Sequence, residues 1–120
     1  SKYYKKKFFF LNFLNTNEVT KKIEIKVINL NKFFIKKKIE KIGLLKIDTE
    51  GHEFQILEGL KDKINVVKLI HFEHHFDDMI IKKYTLSNIH DLLIQNGFKK
   101  IFKIKMKFRK SFEYIYENSR

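Results

Sequence analysis

"LLKIDTEGHEFQILEGL", residues 44–60, breaks abruptly at its fifth position: the apolar run Leu44, Leu45 and Ile47 gives way to Asp48, Glu50, Gly51, His52 and Glu53. Three carboxylates and an imidazole crowd into residues 48–53. The stretch "GLLKID", residues 43–48, is a brief apolar run after a glycine, the pattern of a buried strand. In "EFQILEGL", residues 53–60, Phe54, Ile56, Leu57 and Leu60 fall on one side of a helix, with Gly59 as the expected stop. The reading is strand, tight turn, helix.

The same scheme recurs downstream. "NVVKLIHFE" (65–73) is a β-branched apolar run, and "TLSNIHDLLIQNGF" (85–98) places Leu86, Ile89, Leu92 and Leu93 at helical spacing with Gly97 as C-cap. Two strand-helix units in succession imply a parallel sheet with right-handed crossovers and neighbouring strands. The tail reads differently, because "KIFKIKMKF" (100–108) and "FEYIYE" (112–117) alternate in character and predict an antiparallel hairpin closing the sheet. Upstream, "IEIKVI" (23–28) alternates like a half-exposed edge strand, and "NKFFIKKKIEK" (31–41) predicts a short surface helix capped by Asn31. No repeat, linker or low-complexity segment divides the chain, so residues 1–120 are expected to form one domain.

Composition bounds the function classes. The 120 residues are 43% hydrophobic, enough for a folded domain with a modest core. The net charge of +12 suggests nucleic acid or an anionic surface, yet all basic residues except Arg109 and Arg120 are Lys. With Ala, Pro, Cys and Trp absent and Ile, Asn and Phe abundant, much of this charge reads as the codon bias of an AT-rich genome, and no specific nucleic-acid partner is expected. Without cysteine there is neither a disulfide nor a thiolate metal site, and Phe8–Leu11 is too short for a membrane span or signal core. A cytoplasmic location is the expectation. The sequence leaves the oligomeric state open.

In open α/β sheets, ligands bind beyond the carboxyl ends of parallel strands. Asp48 and Glu73 occupy those ends on strands about 4.8 Å apart, so they are expected to face a common site with Glu50, His52, His74 and His75. Carboxylates that close would raise a pKa, bind a cation, or hold a hydroxyl or amine. Gly51 would let a ligand or neighbouring loop approach the helix N-terminus. A plainer reading makes Asp48 and Thr49 helix caps, with Glu50 and Glu53 complementing the helix dipole. For Glu53 that plainer reading is preferred. The histidines lack the fixed spacing of a metal motif, and a divalent metal is unsupported.

These residues also carry a resemblance. "LLKIDTEGHEFQILEGL" resembles the signature of the FkbM family of S-adenosylmethionine-dependent methyltransferases: an apolar strand, Lys-Ile-Asp, a small residue, Glu-Gly, then Glu and a Leu-rich helix ending in Gly. "IKVINLNKFFIKKKIEKIG" (25–43) resembles the family's preceding strand and helix entry, with Asn31 where aspartate is usual. "LIHFEHH" (69–75) and "LLIQNGF" (92–98) resemble its next strand and helix. The likeness runs from about residue 20 onwards and weakens in the lysine-rich tail.

The resemblance implies part of a class I methyltransferase (Rossmann-like) α/β sheet, with two parallel strand-helix units followed by an inserted antiparallel hairpin. It implies methyl transfer from S-adenosylmethionine to a hydroxyl of a sugar, lipid or small metabolite. The family's Gly-rich turn and ribose-binding acid are missing from the sequence, and Gly43, Gly51, Gly59 and Gly97 never form Gly-x-Gly. The chain, which opens on Ser1, is therefore expected to be the C-terminal half of such a domain, with the main cofactor-binding half missing. Carried over, Asp48, Glu50 and Glu73 would line the reacting end of the site. Asp48 and Thr49 would touch the cofactor, and a carboxylate, His52 or a carboxylate-bound metal would handle the acceptor proton. The competing expectations are a basic module gripping single-stranded nucleic acid through lysines and Tyr3, Tyr4 and Phe8–Phe10, or an inactive fragment.

Overall fold

The computed structural model of the protein describes residues 23–76, 80–108 and 110–120. The strand-turn-helix reading of the central stretch holds. Strand β1 (Ile42–Ile47) leads through a turn into helix α2 (Glu53–Leu60), a 3-10 segment (Lys61–Val66) and strand β2 (Val67–His75). Helix α1 (Leu30–Lys36) precedes β1; helix α3 (Leu86–Gln95), strand β3 (Phe98–Lys105) and strand β4 (Ser111–Asn118) follow β2.

The four strands form one mixed sheet in the order β1-β2-β4-β3. β1 and β2 are parallel, while β4 is antiparallel to both β2 and β3. It follows that β1, β2 and β3 run the same way. The final hairpin therefore folds back so that its last strand, β4, inserts between β2 and β3. One sheet face supplies the core: Ile47 of β1, Ile70 and Phe72 of β2, and Tyr114 and Tyr116 of β4 cluster with Phe34, Leu57, Leu60, Ile89 and Leu93 from the three helices. Phe72 stacks between the Tyr114 and Tyr116 rings at centroid separations of 5.5 and 5.9 Å.

Local chemistry accounts for most element ends. Thr85 begins α3 with a reciprocal capping box to Asn88, and Gly97 follows its C-cap Asn96 at φ +83, where a side chain would be strained. Three expectations need correction. The helix predicted over 31–41 starts one residue earlier and ends at Lys36, because Asn29 caps it through Lys32 N–H, whereas Asn31 donates to Leu60 O across 2.7 Å. Gly59 does not stop α2; the chain leaves the helix at Lys61, which takes φ +52. Residues 23–28 form no strand, and Ile23, Ile25 and Val27 are 70–85% exposed. Alternation alone does not make a strand, and among the described residues none pairs with this segment in a sheet.

Candidate functional site

The turn after β1 is built around a buried carboxylate. Glu53, at the start of α2, is 4% exposed. Its Oε1 accepts hydrogen bonds from Thr49 N–H and Thr49 Oγ1, both at 3.2 Å, and Gly51 N–H reaches both carboxylate oxygens at 3.2 Å. The fourth donor is the buried hydroxyl of Tyr84, far along the chain before α3. Burial pushes the Glu53 pKa up, but the Tyr84 hydroxyl and the backbone N–H groups outweigh it and hold the carboxyl below its usual range. Burial and the Glu53 charge push the Tyr84 hydroxyl strongly up, so it stays a donor.

Ile80 and Ile81 close over the same turn. Gly51 sits at φ +109, and a Cβ there would meet Ile80 Cγ2 and Ile81 O, each at 2.8 Å. The glycine is thus required by the neighbouring loop, one of the two roles open to it on sequence. Phe54 stacks on Tyr84 at 5.8 Å, and His74 packs its ring against Tyr84 and edge-on to Phe76. His74 is buried with its Nδ1 unpartnered among the described residues. Burial, with Lys82 and His75 adding to it, lowers its pKa to about 4, so it is neutral at neutral pH.

The sequence-predicted residues are distributed unevenly around this anchor. Asp48 has a side chain 59% exposed and only a loose ion pair with Lys46 at 4.0 Å. Thr49 is exposed but tied to Glu53, Glu50 is exposed at φ +53, and His52 is the exposed N-cap of α2 without a side-chain capping bond. Neither Asp48 nor Thr49 caps the helix, whose first residue is Glu53. Asp48 and Thr49 line an open cleft of about 410 Å³ whose apolar walls are Leu30, Leu45, Ile47 and Ile56. Glu73 lies one residue beyond the Ile47–Phe72 register pair, level with Asp48, and accepts from Ser111 Oγ at 2.6 Å while pairing with His75 Nε2 at 3.4 Å.

Of the residues expected to share a site, Asp48, Glu50, His52, Glu73, His74 and His75, the structure sets His74 apart. His74 and His75 are successive strand residues and point to opposite faces, His74 into the aromatic core and His75 to Glu73. Among the described residues no group of three or more His, Cys, Asp or Glu could hold a metal ion. No helix among them is long and apolar enough to cross a membrane.

Glu53 and Tyr84 are the residues that sequence reasoning undervalued. A signal for Glu53 existed: it stands four positions before Leu57 and seven before Leu60, on the apolar stripe of α2. Nothing local marked Tyr84.

The family described as the methyltransferase FkbM domain matches residues 5–100, which include β1, α2, β2 and α3 together with the 48–53 turn. No curated protein matches the chain.

Proposed function

Since the chain belongs to the FkbM methyltransferase family, we propose that its turn after β1 forms the reacting end of an S-adenosylmethionine-dependent O-methyltransferase site. The observation that carries the reading is the exposed Asp48 carboxylate, held at the rim of an apolar cleft by a turn that Glu53 locks from beneath. In this reading the sheet order β1-β2-β4-β3 is the C-terminal half of a class I methyltransferase sheet.

The residues present fit only part of the cofactor. The apolar walls and the Asp48 carboxylate suit a sulfonium and its alkyl arms, whereas no Gly-x-Gly turn is present for the remainder. When bound, S-adenosylmethionine supplies an electrophilic methyl carbon. The work left to these residues is to orient an acceptor hydroxyl in line with that carbon and to take its proton as the new O–C bond forms and the S–C bond breaks. Asp48 is the first candidate for the proton, being exposed and lightly paired. Glu50 and His52 stand on the same turn as alternatives, and Glu73, already hydrogen-bonded to Ser111 and His75, suits orientation better than proton transfer.

The acceptor class is a sugar, lipid or small-metabolite hydroxyl. The test uses the gene's complete polypeptide with a methyl-labelled donor and a panel of such acceptors. Asp48→Asn is expected to lower transfer on the order of 100-fold with an unchanged circular dichroism spectrum, the usual minimum for loss of a general base. Undiminished transfer by a folded Asp48→Asn enzyme removes Asp48 from the mechanism.

A further inference from the structure

The edge of the sheet opposite β1 has a character the methyltransferase reading does not use. Residues 98–110 carry six lysines and one arginine and no acidic residue. β3 is exposed along its length after Phe98, and it leaves Ile101, Phe102 and Ile104 between 46% and 49% exposed. At the turn into β4, Phe108 is fully exposed and held at φ +62, with Lys107 before it and Lys110 two positions after it in the sequence.

The register sorts these side chains. Phe102 and Ile104 oppose Ile115 and Glu113 on β4, whereas Lys100, Lys103 and Lys105 oppose Tyr116, Tyr114 and Phe112. β3 is therefore amphipathic, with an apolar face turned away from the aromatic core and a cationic face over it; Lys103 Nζ sits 4.4 Å from the Phe112 ring centroid. The acids nearest the apolar face are already engaged, Glu113 by His71 at 3.3 Å and Glu117 by Lys68 and Lys99 at 3.2 and 3.6 Å.

We propose that the β3–β4 hairpin is a docking surface for an anionic lipid bilayer, with Phe108 entering the headgroup boundary and the flanking lysines meeting lipid phosphates and carboxylates. Lysines alone would suffice to protect an edge strand from pairing with other chains, and they leave a fully exposed phenylalanine unexplained. A fully exposed aromatic ring on a lysine-rich hairpin suits the bilayer interface, where the ring sits at headgroup depth and the lysine stems extend to the charged layer. The aliphatic Ile101 and Ile104 favour lipid over nucleic acid, because they offer no ring on which a base can stack. β3 runs with β1 and β2, so the hairpin tip lies at the same sheet end as the Asp48 turn, and docking brings that end to the lipid surface. The inference stands independently of any methyl transfer.

The 120-residue chain is tested by co-sedimentation with vesicles of phosphatidylcholine alone and of three parts phosphatidylcholine to one part phosphatidylserine. Binding to the mixed vesicles only, weakening as salt rises, is expected. Each of Lys107→Gln and Lys110→Gln should weaken it roughly fivefold. Phe108→Ser, at a fully exposed position, should leave the circular dichroism spectrum unchanged and weaken binding by a similar factor or more. Absence of binding to the mixed vesicles overturns the proposal, as does equal binding by Phe108→Ser. Tighter binding to a single-stranded oligonucleotide than to the vesicles at the same salt overturns it in favour of nucleic acid, and a dimer that Phe108→Ser abolishes in vesicle-free solution overturns it in favour of self-association.

Discussion

Glu53 should be worth more to the fold than any other charged residue of the 48–53 turn. Replacing it by Ala leaves the Tyr84 hydroxyl and the Gly51 and Thr49 N–H groups without their acceptor, and these donors lie in or beside a packed interface. Hydrogen bonds to a charged group contribute about 1.5–3 kcal/mol each, and some donors will recover water, so a loss of about 4 kcal/mol is expected for Glu53→Ala. Glu53→Gln keeps one oxygen for the backbone donors and presents an amide to Tyr84, which puts its cost at about 2 kcal/mol. Tyr84→Phe removes one bond to a buried carboxylate, also about 2 kcal/mol. Because Glu53 and Tyr84 share that bond, the double variant Glu53→Gln/Tyr84→Phe should cost less than the sum, with a coupling of about 1 kcal/mol. Urea titrations at neutral pH read all four values as midpoint shifts at constant m. A Glu53→Ala midpoint within error of the unmodified chain, or strict additivity of the double variant, refutes the claim that this carboxylate organises the turn.

Three further outcomes follow from the same geometry. Gly51→Ala places a Cβ against Ile80 and the Ile81 carbonyl at φ +109 and should destabilise by at least about 2 kcal/mol, read by thermal unfolding. His74, neutral and buried, binds its proton in the unfolded chain near pH 6.5 but in the folded one only near 4, so stability is unaffected above that range and falls as the pH drops from 6.5 towards 4. The loss is on the order of 3 kcal/mol, and His74→Phe should flatten this part of a stability–pH curve. The lowered Glu53 pKa acts with the same sign: its stabilisation is complete above the unfolded value of 4.5 and is lost as the pH falls below it, a loss that His74→Phe leaves in place. Asp48→Asn, at an exposed and weakly paired position, should change the urea midpoint by less than about 0.5 kcal/mol. A large shift there means Asp48 is structural.

What the sequence determined by itself is local. The periodicity of Leu45, Ile47, Leu57 and Leu60 and the polar break at Asp48 specify strand, turn and helix in that order, because each depends on neighbours a few residues away. Gly97 marks the end of α3 for the same reason, and the alternating tail correctly foretold a hairpin. The tertiary structure decided the rest. Which carboxylate would be buried depended on donors gathered from Thr49, Gly51 and distant Tyr84, and that choice fell on Glu53 rather than Asp48. Residues 23–28 alternate as well as any strand, yet remain outside the described sheet, since a strand exists only where a partner takes its hydrogen bonds. β4 lies between β2 and β3 because strand order follows long-range pairing, about which a period of two says nothing. Side-chain pattern is a property of a segment, whereas burial and pairing belong to the pairs of segments that folding brings together.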